Sequence, residues 1–196
     1  KKIKADIVVY LPDHIYNKTD IETFNGPIHL YRLESKYGKV KTSNGKIDVD
    51  KIKGEEWDVK SVNGSIKIEN SLISDLEVES ITGSAQINGT FEKVDAQLVG
   101  GSIHCDWYGS EGRSGYFKST TGSIRLHVPS TIGIKGELRS SIGNVKCTLP
   151  DYETSSKDSD FLKKQLHFQT DSMYGQFLLL EAESKTGSVT VGPLKG

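Results

Sequence analysis

A chain of 196 residues with 25 Lys+Arg against 26 Asp+Glu is one domain in length, and its formal charge of -1 offers no electrostatic footprint for nucleic acid or an anionic membrane. Hydrophobic residues make up 35% of it, and its 20 glycines exceed the ordinary share, which points to many turns. No apolar run approaches the ~18 residues needed to cross a bilayer, and the two cysteines, Cys105 and Cys147, make neither a disulfide framework nor a metal motif.

The chain starts at Lys1 with neither Met nor a visible signal peptide, so it reads as an excised or processed piece, and a membrane anchor outside it is an expectation. Ile3 to Pro12 is strand-like, and residues 1–16 are expected to cap an open sheet edge. Asn17-Lys18-Thr19 and Asn88-Gly89-Thr90 match a glycosylation triplet, at a frequency that chance supplies.

Beyond this segment the chain repeats. Aligned on Gly26, Gly45, Gly64, Gly83, Gly101, Gly122, Gly143 and Gly187, the spacings are 19, 19, 19, 18, 21, 21 and 44 residues, the last being two repeats plus an insertion. Two after each glycine stand Ile28, Ile47, Ile66, Ala85, Ile103, Ile124, Val145 and Val189. Four after stand Leu30, Val49, Ile68, Ile87, Cys105, Leu126, Cys147 and Val191, and five before stand Ile21, Val40, Val59, Val78, Ala96, Phe117, Leu138 and Ala182. The residues between are mostly polar, so each repeat is a set of short strands with one buried face. Alignment of that face across the repeats predicts that equivalent residues stack. Ile47, Val59, Ile66, Val78, Ile103 and Leu126 are therefore expected in the core. Cys105 and Cys147 are expected there too, as free thiols in one column with Leu126 between them, too far apart for a disulfide. Trp57 shares the inward parity and reads as core.

Three before the glycine the column is Thr23, Thr42, Ser61, Ser80, Leu98, Ser119, Ser140 and Ser184. It reads as an inside corner where each hydroxyl bonds the next or the backbone of its own turn; the competing reading is that Ser and Thr merely suit turns. An Asn-Gly hairpin meander is the rival architecture. The residue before glycine is also Thr82, Thr121, Thr186 or Ile142, and a β-branched residue at positive φ is an outlier. Type II corners, with glycine alone at positive φ, fit all repeats and splay strands apart. A propeller blade would need ~40–45 residues. The expected fold is one all-β domain over residues 1–196, a right-handed parallel β-helix of about nine coils and about 40 Å in length.

Two stretches interrupt the repeat. Asp106 to Gly115 gathers Trp107, Tyr108 and Arg113 among glycines and serines, and these residue types dominate interface energetics. They are the candidate binding residues; the competing reading folds Trp107 back over the coil edge. Residues 150–165 form a polar insertion expected to be a loop, after which Leu166 to Thr170 and Tyr174 to Leu180 resume the pattern.

The recurring unit is carried by Glu22-Thr23-Phe24-Asn25-Gly26, Lys60-Ser61-Val62-Asn63-Gly64-Ser65-Ile66 and Glu183-Ser184-Lys185-Thr186-Gly187-Ser188-Val189. It resembles the adhesin-like bacterial domains of unknown function, frequent in Gram-positive bacteria and related to auto-transporter adhesin head domains. The resemblance runs from Val8 to Val191. It implies a β-helix, a cell-envelope or cell-surface location beside a membrane anchor, and no catalytic residues.

Polysaccharide-acting β-helices need clustered carboxylates for calcium or a paired acid and base. Six before the glycines stand Asp20, Asp58, Glu77, Asp95, Glu137 and Glu181, a partial acidic ladder beside Lys41, Lys60, Lys118 and Arg139. Alternating charge reads as a solvated face of cross-strand pairs, with cation binding as the alternative. His29 and His104 share a column but lie four coils apart, and no catalytic triad, zinc spacing or phosphate loop appears. The sequence thus points to a non-enzyme without cofactor, a surface scaffold for an unknown protein or glycan. The alternatives are a structural or sensory module of an envelope-stress membrane complex and, after it, a carbohydrate-active enzyme.

Overall fold

The computed structural model describes residues 8–160, 163–172 and 176–194. They hold no helix; every regular element is a strand of one 16-stranded sheet. The strands are β1 Ile15–Asn25, β2 Ile28–Tyr31, β3 Glu34–Asn44, β4 Ile47–Asp50, β5 Lys53–Asn63, β6 Ile66–Thr82, β7 Ala85–Gly100 and β8 Ile103–Tyr108. They continue with β9 Ser114–Thr121, β10 Ile124–Val128, β11 Gly133–Ile142, β12 Val145–Cys147, β13 Tyr152–Asp160, β14 Lys163–Thr170, β15 Phe177–Thr186 and β16 Val189–Pro193.

The pairing is that of a parallel β-solenoid. Val40 lies beside Ile21 and Val59, Ile47 beside Ile28 and Ile66, and Ile87 beside Ile68 and Cys105. Alternation puts every second side chain inward, and stacking of equivalent levels turns those side chains into continuous ladders. Ile47, Val59, Ile66, Val78, Ile103, Leu126 and Trp57 are all buried as expected.

Glycine makes the corner possible through close approach. A Cβ on Gly83 would lie 2.2 Å from the carbonyl oxygen of Gly64, and its φ is +140°. That conformation is extended and open essentially to glycine alone, so the corner is not the expected type II turn. The backbone ladder instead continues through it, with the Gly64 and Gly83 amides donating to Thr82 and Gly100. Inside the corner the hydroxyl column bonds the neighbouring level. Thr42, Ser80, Ser119, Ser140 and Ser184 donate to the carbonyls of Gly26, Gly64, Gly101, Gly187 and Gly122 respectively.

The levels do not follow chain order throughout. Those of Gly26, Gly45, Gly64, Gly83, Gly101 and Gly122 stack in sequence. Strand β15 then inserts between β9 and β11, and β16 between β10 and β12. The chain skips a level, builds the one at Gly143, and returns to fill the gap with Gly187. The corner glycines thus mark eight levels, against nine expected. Cys105 is in register with Leu126, Leu126 with Val191, and Val191 with Cys147, so two residues separate the cysteines instead of one.

The ends correct two further expectations. Of the expected cap, residues 8–14 form no strand and are exposed, Ile15 and Tyr16 begin β1, and residues 1–7 lie outside the described residues. The insertion at 150–165 is not a loop: β13 and β14 form an antiparallel hairpin, and β14 pairs antiparallel with β11. Leu166 and Phe168 are buried, and the Phe168 ring lies over Gly136, where a Cβ would meet it at 2.1 Å. The hairpin therefore covers the edge of the last parallel level.

Candidate functional site

Trp107, Tyr108 and Arg113 do not form one exposed patch. Trp107 continues the inward series of Ile103 and Cys105 on β8 and is 0% exposed. Its Nε1 donates to the Phe91 carbonyl at 3.0 Å, and its ring stands edge-on to Phe91. The glycines of its loop serve this packing, since a Cβ on Gly112 or Gly115 would sit 3.2 or 3.0 Å from the indole. Tyr108 points outward and is 41% exposed. Arg113 is bound to Glu92, its guanidinium 3.0 Å from the carboxylate and its amide donating to the Glu92 carbonyl. The aromatic anchor of the expected site is thus a core residue.

The charged columns neutralise one another. Lys60 Nζ lies 2.8 Å from Glu77, 3.2 Å from Asp58 and 3.3 Å from Glu79. Burial works against the Lys60 ammonium, but hydrogen bonds to Glu77 and Asp58 and their charges outweigh it and hold its pKa well above the ordinary value. The hydrogen bond from Lys60 conversely lowers the Glu77 pKa, against an opposing effect of burial. At the far end, Arg139 bridges Glu137 and Glu181, and Glu137 also accepts from Gln165. These pairs match the solvated-face reading of the acidic column.

Beside the lysines runs a groove of about 590 Å³ along the corner. Its floor includes Ser61, Ser80 and Leu98 of the inward column. Lys41, Lys60, Glu79 and Lys118 border it on one side, and Val62, Ile81 and Val99 stand on the other. These three apolar residues occupy consecutive levels, two before their glycines, and all are exposed.

On the strands after the corner, His104 and Asp106 of β8 and His127 of β10 converge. Residues 104 and 106 share the outward face, and Asp106 is in register with His127. Asp106 Oδ1 lies 2.6 Å from His127 Nδ1 and 3.1 Å from His104 Nε2, and the imidazole centroids are 5.1 Å apart. One donor atom from each residue lies within 4.8 Å of the others, and all three side chains are partly buried. Comparing histidines in a single column misses this cluster. The legible signal is diagonal: His104 three after Gly101, Asp106 five after Gly101, and His127 five after Gly122.

Cys105 and Cys147 are free and buried. Burial, with the Asp106 charge beside it, pushes the Cys105 thiol well above its ordinary pKa, and burial likewise raises Cys147. Neither offers a reactive thiolate.

A parallel solenoid with glycine corners, a hydroxyl column behind them and a paired charge lattice outside defines a class of repeat-built β domains. Within that class the chain belongs to the Toastrack DUF4097 family, whose model matches residues 1–167. The match ends before β15 and β16, the strands that fill the skipped level. The chain is 46% identical over 189 residues to the uncharacterized protein YvlB of Bacillus subtilis (strain 168). The alignment covers 96% of this chain and 52% of that relative, so the chain spans about half the relative's length. No solved structure matches.

Proposed function

We propose that this chain is a non-catalytic, adhesin-like binding scaffold of the bacterial cell envelope or surface, and that its corner groove receives a protein or glycan. The observation that carries this reading is the row Val62, Ile81 and Val99, exposed on three consecutive levels beside a groove bordered by Lys41 and Lys60, both of them ion-paired. An apolar row with a fixed polar rim is the composition of a recognition surface. The acid and base groups nearby support the same reading: Glu77 and Glu79 are tied to Lys60, and Glu137 to Arg139.

The test is cosedimentation of the purified chain with isolated Gram-positive cell walls and, separately, with envelope membranes. Wild type is expected to be retained on walls, and Ile81→Asp/Val99→Asp to be lost from them with unchanged circular dichroism. Retention on membranes alone would favour the alternative, a sensory module of an envelope complex. Release of reducing sugar from the walls, abolished by Glu137→Gln, would replace the scaffold with an enzyme.

A further inference from the structure

We propose that His104, Asp106 and His127 form a divalent-cation site whose natural occupant is Zn²⁺. The site goes beyond the scaffold reading, because it lies on β8 and β10, away from the lysine-bordered groove.

The donor set is the first argument. Two imidazoles and one carboxylate bind borderline divalent metals of the zinc type; hard cations such as calcium and magnesium prefer oxygen ligands. The geometry is the second. Zinc binds nitrogen and oxygen at about 2.0–2.2 Å, so tetrahedral donors stand roughly 3.3–3.5 Å apart. Here the two imidazole nitrogens lie 2.6 and 3.1 Å from one carboxylate oxygen. An ion entering between them needs side-chain adjustments of a few tenths of an ångström to about one, with the backbone left in place.

The scaffold is the third argument. Parallel pairing fixes Asp106 beside His127, and strand alternation fixes His104 on the same outward face. Cys105, between the two β8 ligands, points into the core, so its thiol cannot compete. On the far side of His127 the register partner is Gly192, which places no side chain over the imidazole. Three protein ligands leave an open coordination position for water or for a donor from a bound partner, as in zinc sites that are not closed by a fourth side chain.

A second His–Asp pair supplies the control. His29 Nδ1 lies 3.1 Å from Asp48, its partner in register, but the next residue in register beyond Asp48 is Lys67, with no second imidazole, and Lys46 also lies 2.7 Å from the Asp48 carboxylate. If one His–Asp contact sufficed, this pair would bind zinc equally well.

The experiment uses the untagged full chain, titrated with Zn²⁺ against a chromophoric chelator and, in parallel, with Co²⁺ as a ligand-field probe. Wild type is expected to take one equivalent of Zn²⁺ and to give the visible absorption of Co²⁺ in a low-coordinate nitrogen–oxygen site. Loss of an outer-shell group weakens metal sites by about 10–100-fold, so loss of a direct ligand in His127→Ala or Asp106→Asn should weaken binding by more than about tenfold. Asp106→Asn is nearly isosteric and guards against a folding artefact, and His29→Ala should bind as wild type. Absence of a saturable equivalent in wild type, or equal affinity in wild type and His127→Ala, would overturn the proposal.

Discussion

Ser184 Oγ donates a 2.8 Å hydrogen bond to the carbonyl of Gly122, a residue 62 positions earlier in the chain. The same contact spans 16 residues between Ser80 and Gly64, where the levels follow sequence order. Ser184 is fully buried, so its removal strands a carbonyl beneath the corner. Leaving a buried acceptor unsatisfied costs about 1–3 kcal/mol. Ser184→Ala is expected to lower the unfolding free energy by that amount, seen as a lower urea midpoint at unchanged slope, whereas Ser188→Ala, on the exposed side of the corner, should cost less.

The returning level makes a covalent prediction. Thr186 is in register with Thr121 on one side and with Ile142 on the other. Adjacent levels lie about 4.8 Å apart and alternate levels about 9.6 Å. The disulfide limit is near 7 Å between Cα atoms. On a Cys105→Ser/Cys147→Ser background, Thr121→Cys/Thr186→Cys is therefore expected to crosslink under oxidation. Thr121→Cys/Ile142→Cys should remain reduced. Ready crosslinking of the second pair would restore simple chain-order stacking.

The ladders were legible because their cause is local and periodic. Two inward positions after each glycine and one before it recur at nearly constant spacing, and the core follows from parity. Level order was not legible, because Ile124 can stack equally well on Val145 or Val189: both are β-branched and both occupy the same column. The spacing of 44 between the last two glycines marked an insertion without saying where the chain returns. The hairpin was hidden by composition, since β13 is polar and its partner β14 supplies the buried Leu166 and Phe168. For the loop from Asp106 to Gly115, the reading that folds Trp107 back over the coil edge is the one that holds. Trp107 stands six after Gly101, on the inward parity already used for Trp57, but the glycines around it suggested exposure when they actually make room for its ring.

Trp107 accordingly yields a stability prediction. Both tryptophans are buried, at 1% exposure for Trp57 and 0% for Trp107. Native emission should be blue-shifted and resistant to iodide quenching, then shift red on unfolding. Deleting a buried aromatic costs about 3–5 kcal/mol. Trp107→Ala is expected to lower stability by that order, with the loss of the Phe91 edge contact included. Near wild-type stability of Trp107→Ala, with part of the wild-type emission open to iodide and that part missing in the mutant, would place the indole outside the core.

Lys60 and Glu77 give the pH dependence. The hydrogen bond from Lys60 lowers the Glu77 pKa in the folded chain, against burial, with Lys41 and Glu79 also acting on it. A carboxylate whose pKa is depressed by folding contributes stability that is present above its unfolded value, near 4.5, and is lost as pH falls through the folded value. Wild type should therefore be more stable than Lys60→Met at neutral pH, and the difference should shrink as Glu77 protonates below pH 4.5. Lys60 contributes its own part in the opposite range: its raised pKa keeps the ammonium charged through neutral and mildly alkaline pH, so that part is constant across the acid limb. Asp58 and Glu77, in register on adjacent strands, lose the cation they share in Lys60→Met and add repulsion that acid also relieves. The Glu77 side chain is 48% exposed, so solvent and salt screen the pair and the effect is modest. Urea titrations of wild type, Lys60→Met and Glu77→Gln from pH 7 to pH 3 provide the measurement. A wild-type advantage over Lys60→Met that grows on acidification would reverse the sign and remove Lys60 as the group that holds Glu77 ionised.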